Sequence, residues 1–98
     1  MKIGKIIKQI RKDYGYSQKD LADKIHITQA YLSQIESDKK LPSIQLIEEI
    51  GKITVIPLPV ILFLSIEDTD VKEDRRELYN LLRPTIAKMI EDVFLKKI

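Results

Sequence analysis

The sequence predicts an all-α protein: five helices over residues 1–66, followed by an amphipathic helical extension over residues 67–98. Three observations carry that reading. Apolar residues recur at the three- and four-residue spacing of a helix face, and no segment keeps the two-residue period of a half-buried strand. Two hydroxyl residues, Ser17 and Thr28, stand just before apolar-periodic segments, where a side-chain oxygen caps the free amides of a first helical turn. Gly15, Pro42, Pro57 and Pro59 punctuate the boundaries between the segments.

Ile3, Ile6, Ile7, Ile10 and Tyr14 predict a first helix over residues 2–13, with Lys2, Lys5, Lys8 and Lys12 on its other side. Gly15 closes it, because a left-handed cap favours glycine. Ser17 opens the second helix, and Asp20 three residues later completes a capping box. That helix runs from Gln18 to Lys24 and buries Leu21, Ala22 and Ile25, the small Ala22 permitting close approach of a neighbour. Thr28 opens the third, from Gln29 to about Ser37, with Leu32 and Ile35 inward. Only Ile25, His26 and Ile27 separate the two, so they must cross steeply, as in a helix-turn-helix. Asp38-Lys39-Lys40 forms a loop, and Pro42-Ser43 starts a fourth helix reaching about Ile53, with Ile44, Leu46, Ile47, Ile50 and Ile53 on its apolar face. Pro57 and Pro59 begin a short fifth helix ending at Leu64, since a first turn tolerates proline. After the polar break Glu67-Asp68-Thr69-Asp70, a long amphipathic segment runs from Lys72 to Lys97. Leu78, Leu82, Ile86, Met89, Ile90, Val93 and Phe94 line one side of it, and Pro84 either kinks it or begins a separate last helix.

Composition narrows the function. With 98 residues the chain suits one modest core. It has no cysteine, which excludes disulfides, thiol chemistry and cysteine-rich zinc sites. The longest apolar run, Ile53 to Ile66, is broken by two prolines and a threonine and is too short to span a bilayer. The amino terminus lacks the apolar stretch of a signal peptide, so a cytoplasmic protein with no membrane partner is expected. Residues 1–66 hold ten Lys/Arg against seven Asp/Glu, whereas residues 67–98 hold seven against eight, so the basic excess sits with the two capped helices. His26 stands alone, and Glu48-Glu49 reads as a solvated helix face. No nucleophile–base pair, phosphate loop or metal cluster is visible, so no enzyme activity, metal or cofactor is expected.

With its helices placed, the chain resembles the lambda-repressor/Cro-type family of helix-turn-helix regulators, also called the XRE family. The resemblance rests on Arg11, Gly15, Ser17-Gln18, Leu21-Ala22, Ile27-Thr28-Gln29, Leu32, Ile35-Glu36 and Pro42-Ser43, and covers about residues 2–64. It implies a lambda-repressor-like domain whose recognition helix, residues 28–37, enters the major groove of double-stranded DNA. In that reading Gln29 contacts adenine through a bidentate amide, discriminating by about 1–3 kcal/mol. Gln18 meets a phosphate and pairs with Gln29, and Ala30 offers a methyl to thymine. Ser33 and Gln34 reach further bases or phosphates, Tyr31 lies along the backbone, and Lys19, Lys39 and Lys40 contact phosphates, as do the amides opening helices two and four. Thr28 caps the helix, and Arg11 and Glu36 form an ion pair joining helix one to the end of helix three. Two positions depart from the family pattern. His26 stands where the turn usually has glycine, and Asp38, replacing a common glycine or asparagine, brings negative charge near the expected phosphate path.

The stretch Val60 to Leu64 is apolar all round, and such a helix is buried on more than one side. The five-helix core covers one side; the C-terminal helix, a second subunit or both cover the other. A homodimer is expected from helix five and the tail, with Leu62, Phe63, Leu82, Ile86, Met89 and Val93 at its interface. The function expected is a sequence-specific transcriptional regulator, a repressor reading a palindromic operator. The alternative is an antitoxin-like or other interaction module whose C-terminal helix captures a protein partner.

Overall fold

The computed structural model describes residues 1–95, which form six α-helices and no strand. These are α1 (Ile3–Asp13), α2 (Gln18–Lys24), α3 (Gln29–Glu36), α4 (Ile44–Thr54), α5 (Leu58–Ser65) and α6 (Arg76–Phe94). Single 3-10 turns at Asp68–Asp70 and Glu73–Arg75 join α5 to α6. Lys96 and Lys97, the end of the expected tail helix, lie outside the described residues.

The core is built almost entirely from branched aliphatics. Ile7, Ile10, Leu21, Leu32, Ile35, Ile47, Ile50, Ile56 and Ile61 are almost wholly shielded from water, each contributing about 1.5–3 kcal/mol by burial. Helix α1 packs on both α3 and α5, α2 crosses α3, and α4 lies against α5. The expected apolar face of α4 is real except at its start, where Ile44 stays exposed.

The caps follow the local rules. Ser17 Oγ accepts from the Asp20 amide at 3.0 Å, and Asp20 Oδ2 accepts from the Ser17 amide at 3.1 Å. Those two contacts to Ser17 hold the Asp20 carboxyl below its usual pKa. Thr28 Oγ1 accepts from the Tyr31 amide at 3.0 Å, and Ser43 Oγ from the Leu46 amide at 3.1 Å.

Helix α1 is different, because its N-cap residue, Lys2, has no capping side chain. Its cap comes from across the fold: the Gly4 amide donates to Asp38 Oδ1 at 3.0 Å. This requires close approach, and a Cβ on Gly4 would lie 1.9 Å from the Ile35 carbonyl oxygen. Asp38, although exposed, thereby spends Oδ1 on the first turn of α1.

Among the described residues, three that are not glycine adopt left-handed backbone: His26 (φ 58°), Asp38 (φ 61°) and Val55 (φ 55°). His26 and Asp38 belong to residue types that tolerate this region, whereas a β-branched valine is strained there. Val55 closes α4 in the position that glycine normally fills.

The extension continues through Pro84 as one helix. Of the expected apolar stripe, Ile90 packs against the core, but the rest of the packed face is of a different kind. Tyr79 Oη donates to the Ile66 carbonyl at 2.8 Å, Arg83 Nη2 to the Leu64 carbonyl at 3.1 Å, and Arg83 Nε to Tyr79 Oη at 2.9 Å. Ala87 is buried and Ile90 half-buried on the same side. The end of α5 carries carbonyls with no helical partner, and Arg83 and Tyr79 supply donors to two of the carbonyls there. Those residues take the inner face, and Leu78, Leu82, Ile86, Met89 and Val93 turn to solvent with exposures of 41–73%.

Candidate nucleic-acid interface

Helix α3 presents two unlike faces. Leu32 and Ile35 are fully buried and fix it on the core. Gln29, Ala30, Ser33 and Gln34 are exposed, all within one and a half turns on the other side of the helix, while Tyr31 is half-buried at its edge and packs against the core. Among the described residues, the side chains of Gln29, Ser33 and Gln34 make no hydrogen bond within the protein, so their donors and acceptors face outward unspent.

A buried ion pair holds the other end of this helix. Arg11 Nε donates to Glu36 Oε2 at 2.7 Å and Nη2 to Oε1 at 3.0 Å, while Nη1 donates to the Tyr16 carbonyl at 2.8 Å. The side chains are only 9% and 2% exposed. One guanidinium thereby ties α1, the α1–α2 turn and the end of α3 together. Such a two-point geometry is what arginine provides and lysine does not.

Gln18 joins this cluster rather than Gln29. Its Nε2 donates to Glu36 Oε1 at 3.1 Å. The carboxylate accepts only, so it selects which end of the amide faces inward. The other N–H and the carbonyl of the Gln18 side chain make no hydrogen bond among the described residues. The Gln18–Gln29 pair expected from the family pattern is not formed. Sequence reasoning named Glu36 only as Arg11's partner and missed its hold on Gln18; the signal was available, since Gln18 and Glu36 both flank the helix-turn-helix.

The basic residues divide into two kinds. Lys19 already pairs with Asp23 at 3.0 Å on the surface of α2. Lys39 and Lys40 are exposed in the loop after α3, and no carboxylate of the described residues lies in ion-pair range of either. No group of three or more described His, Cys, Asp or Glu residues is arranged to hold a metal ion. No described helix is long and apolar enough to cross a membrane.

Two short capped helices at a tight turn, the second with a free polar face, define a helix-turn-helix module. The chain belongs to the helix-turn-helix family, whose pattern matches residues 7–58. Among curated relatives it is similar to the immunity repressor protein of Bacillus phage phi105, 32% identical over 95% of this chain and 62% of that protein. It is also similar to the HTH-type transcriptional regulator SinR of Bacillus licheniformis, 35% identical over 87% of this chain and 78% of that protein. With SinR of Bacillus subtilis it shares 39% identity over 61% of this chain and 55% of that protein. The chain thus spans a little under two thirds of the phage relative. No solved structure gives a significant match.

Proposed function

We propose that this protein is a sequence-specific DNA-binding transcriptional regulator, a repressor that reads a palindromic operator as a homodimer through α3. The observation that carries this is the outward row Gln29, Ala30, Ser33 and Gln34 on a helix locked from behind. A rigid helix with unspent amides and a hydroxyl is what direct readout of base edges needs. In this reading Gln29, nearest the capped start of the helix, reads a base, and Ala30, Ser33 and Gln34 follow it along the groove. Gln18, Tyr31 and Lys19 meet the backbone on one side, and Lys39 and Lys40 on the other. Lys39 and Lys40 carry more of the phosphate attraction than Lys19, which must first give up Asp23. The names of the relatives, a repressor and two transcriptional regulators, agree with this reading.

The dimer is drawn from α5 and α6. Leu62 and Phe63 are half-buried, and Leu82, Ile86, Met89 and Val93 form an exposed ladder on one helix face. An amphipathic helix that satisfies its polar side on α5 leaves this ladder to a second copy. A twofold pair places two α3 helices on half-sites roughly 34 Å apart.

Selection from random duplex DNA, read by sequencing, tests the assignment. The protein should enrich an inverted repeat, and Gln29→Ala should relax preference at one position in each half while leaving the thermal melt unchanged. Lys39→Ala with Lys40→Ala should weaken binding to all sequences and flatten its salt dependence. Unaltered selection by Gln29→Ala refutes the readout role. A monomeric mass in light scattering at tens of micromolar, with and without DNA, removes the dimer and leaves the α6 ladder to a different protein partner.

A further inference from the structure

The turn between α4 and α5 carries a strained side chain that its own chain does not use. Val55 closes α4 in left-handed backbone (φ 55°, ψ 38°), where a β-branched residue is strained and glycine is not. Its surroundings fix it there. The Ile56 amide donates to the Gly51 carbonyl at 2.9 Å, Thr54 Oγ1 to the Ile50 carbonyl at 2.8 Å, and Tyr14 Oη to the Thr54 carbonyl. The valine is nevertheless 80% exposed, so it lends its own chain little packing. Strain that the surroundings hold in place, at a side chain the core does not need, marks a position with a use outside the fold.

Beside Val55 lies an open, mostly apolar hollow of about 620 Å³. Gly51 and Ile56, both buried, form its floor, and Val55, Leu58, Glu48 and Lys52 its sides. Gly51 adds no side chain to fill it, and a Cβ there would lie 2.6 Å from the Ile56 carbonyl oxygen. A knob and a hollow thus stand together on one turn. The two charges on the sides have opposite sign and lie about one helical turn apart. Glu48 is exposed, with no cation in ion-pair range among the described residues. Lys52 has only an exposed contact with Glu49 at 3.3 Å, of a kind that contributes little and exchanges readily.

A surface with both a knob and a hollow, and both an acid and a base, is complementary to itself. Under a twofold rotation each Val55 can enter the hollow of the other copy while each Glu48 meets the other's Lys52, the reciprocity that a symmetric contact requires. A small apolar ligand would leave both charges unused, and a partner of one sign would oppose one of them. We infer that the α4–α5 turn is a second self-contact of this protein, its occupant the same turn of another copy. None of its residues belongs to α3 or α6. Resting on the α6 pairing of the proposed function, two different twofold contacts on one chain join pairs into sets of four.

Sedimentation equilibrium of the full chain up to millimolar concentration tests the contact, since a patch of this size binds weakly. Leu82→Glu, on the exposed ladder, removes the α6 pairing. In that background the protein should still associate to two chains. Adding Val55→Gly should weaken this association about tenfold or more, the loss of two valines buried between copies. A valine with a purely structural role would move the melt and leave the mass unchanged. Glu48→Lys and Lys52→Glu, each in the Leu82→Glu background, should also associate more weakly, because like charges then face one another. An equimolar mixture of these two variants should recover, since each supplies the charges the other lacks; a different protein partner predicts no recovery. A Leu82→Glu protein monomeric at millimolar concentration, association indifferent to Val55→Gly, or a mixture no better than its components overturns the contact. The two self-contacts fail separately. A parent that pairs and turns monomeric with Leu82→Glu keeps the α6 pairing and loses the turn contact. A parent that stops at two chains, ignores Leu82→Glu and is dissociated by Val55→Gly loses the α6 pairing and keeps the turn contact.

Discussion

Replacing Arg11 by methionine removes the guanidinium that joins three segments and leaves the Glu36 carboxylate buried, with only the Gln18 amide to satisfy it. Breaking a buried pair in this way costs about 3–5 kcal/mol. A small domain has roughly 5–15 kcal/mol of stability in total, so the loss is a large fraction of it. It corresponds to a fall in melting temperature of about 15–30 °C. The companion Arg11→Met/Glu36→Leu removes both charges and fills the site with apolar volume. Such replacements are often neutral or stabilising, so the double variant should recover to within about 1–2 kcal/mol of the parent. It should not recover DNA binding, because Gln18 has lost the acceptor that orients it. Operator affinity should fall about fivefold, the equivalent of about 1 kcal/mol and one oriented hydrogen bond. Urea denaturation with linear extrapolation gives the stabilities, and fluorescence anisotropy on a labelled duplex gives the affinity. A single variant within 1 kcal/mol of the parent, or a double variant no better than the single one, refutes the account of the pair. Full DNA affinity in the stable double variant refutes the positioning role of Glu36.

Three further outcomes follow from the backbone and the caps. Val55→Gly should raise stability by about 0.5–1 kcal/mol in urea denaturation. It relieves about 1–2 kcal/mol of left-handed strain, less the entropy glycine gains when unfolded, and Val55 is 80% exposed, so no packing is lost. Gly4→Ala should lower stability by about 2–3 kcal/mol in the same assay, because its methyl would meet the Ile35 carbonyl and push α1 off α3. Asp20 has its pKa lowered in the folded state, so its contribution is complete above the unfolded value near 3.8 and is lost as pH falls through the folded value. Urea midpoints taken from pH 5 down to pH 2 should therefore fall less steeply in Asp20→Asn than in the parent; identical slopes would show that Ser17 does not hold the carboxylate.

What could be read from the chain alone rests on interactions between residues a few positions apart. The start of α2 was legible because Ser17 and Asp20 complete their hydrogen bonds within four residues. Thr28 marks α3 for the same reason. The buried rows Ile7–Ile10, Leu32–Ile35 and Ile47–Ile50 follow from helical period alone. His26 was legible through the resemblance alone, as the residue standing where the family's turn usually has glycine, and it does adopt left-handed backbone. The outward row of α3 is simply what remains once its apolar positions are spoken for.

Tertiary structure decided the rest, and in each case the deciding contact joins residues far apart in the chain. Asp38 reads from the sequence as a charge near a phosphate path, yet it caps α1 across 34 positions, because the first turn of that helix has no cap of its own. Gln18 reads as a partner for Gln29, yet the buried Glu36 carboxylate, needing a further donor, takes it across 18 positions. The strain at Val55 has no local signature at all. The apolar ladder of α6 was expected at an interface with a second copy, and periodicity left open which face of α6 packs on its own chain; Tyr79 and Arg83, donating to the Ile66 and Leu64 carbonyls, lie on that face. Periodicity marks which residues share a helix face. Which face is buried depends on the polar groups waiting opposite, and those are met only when the chain has folded.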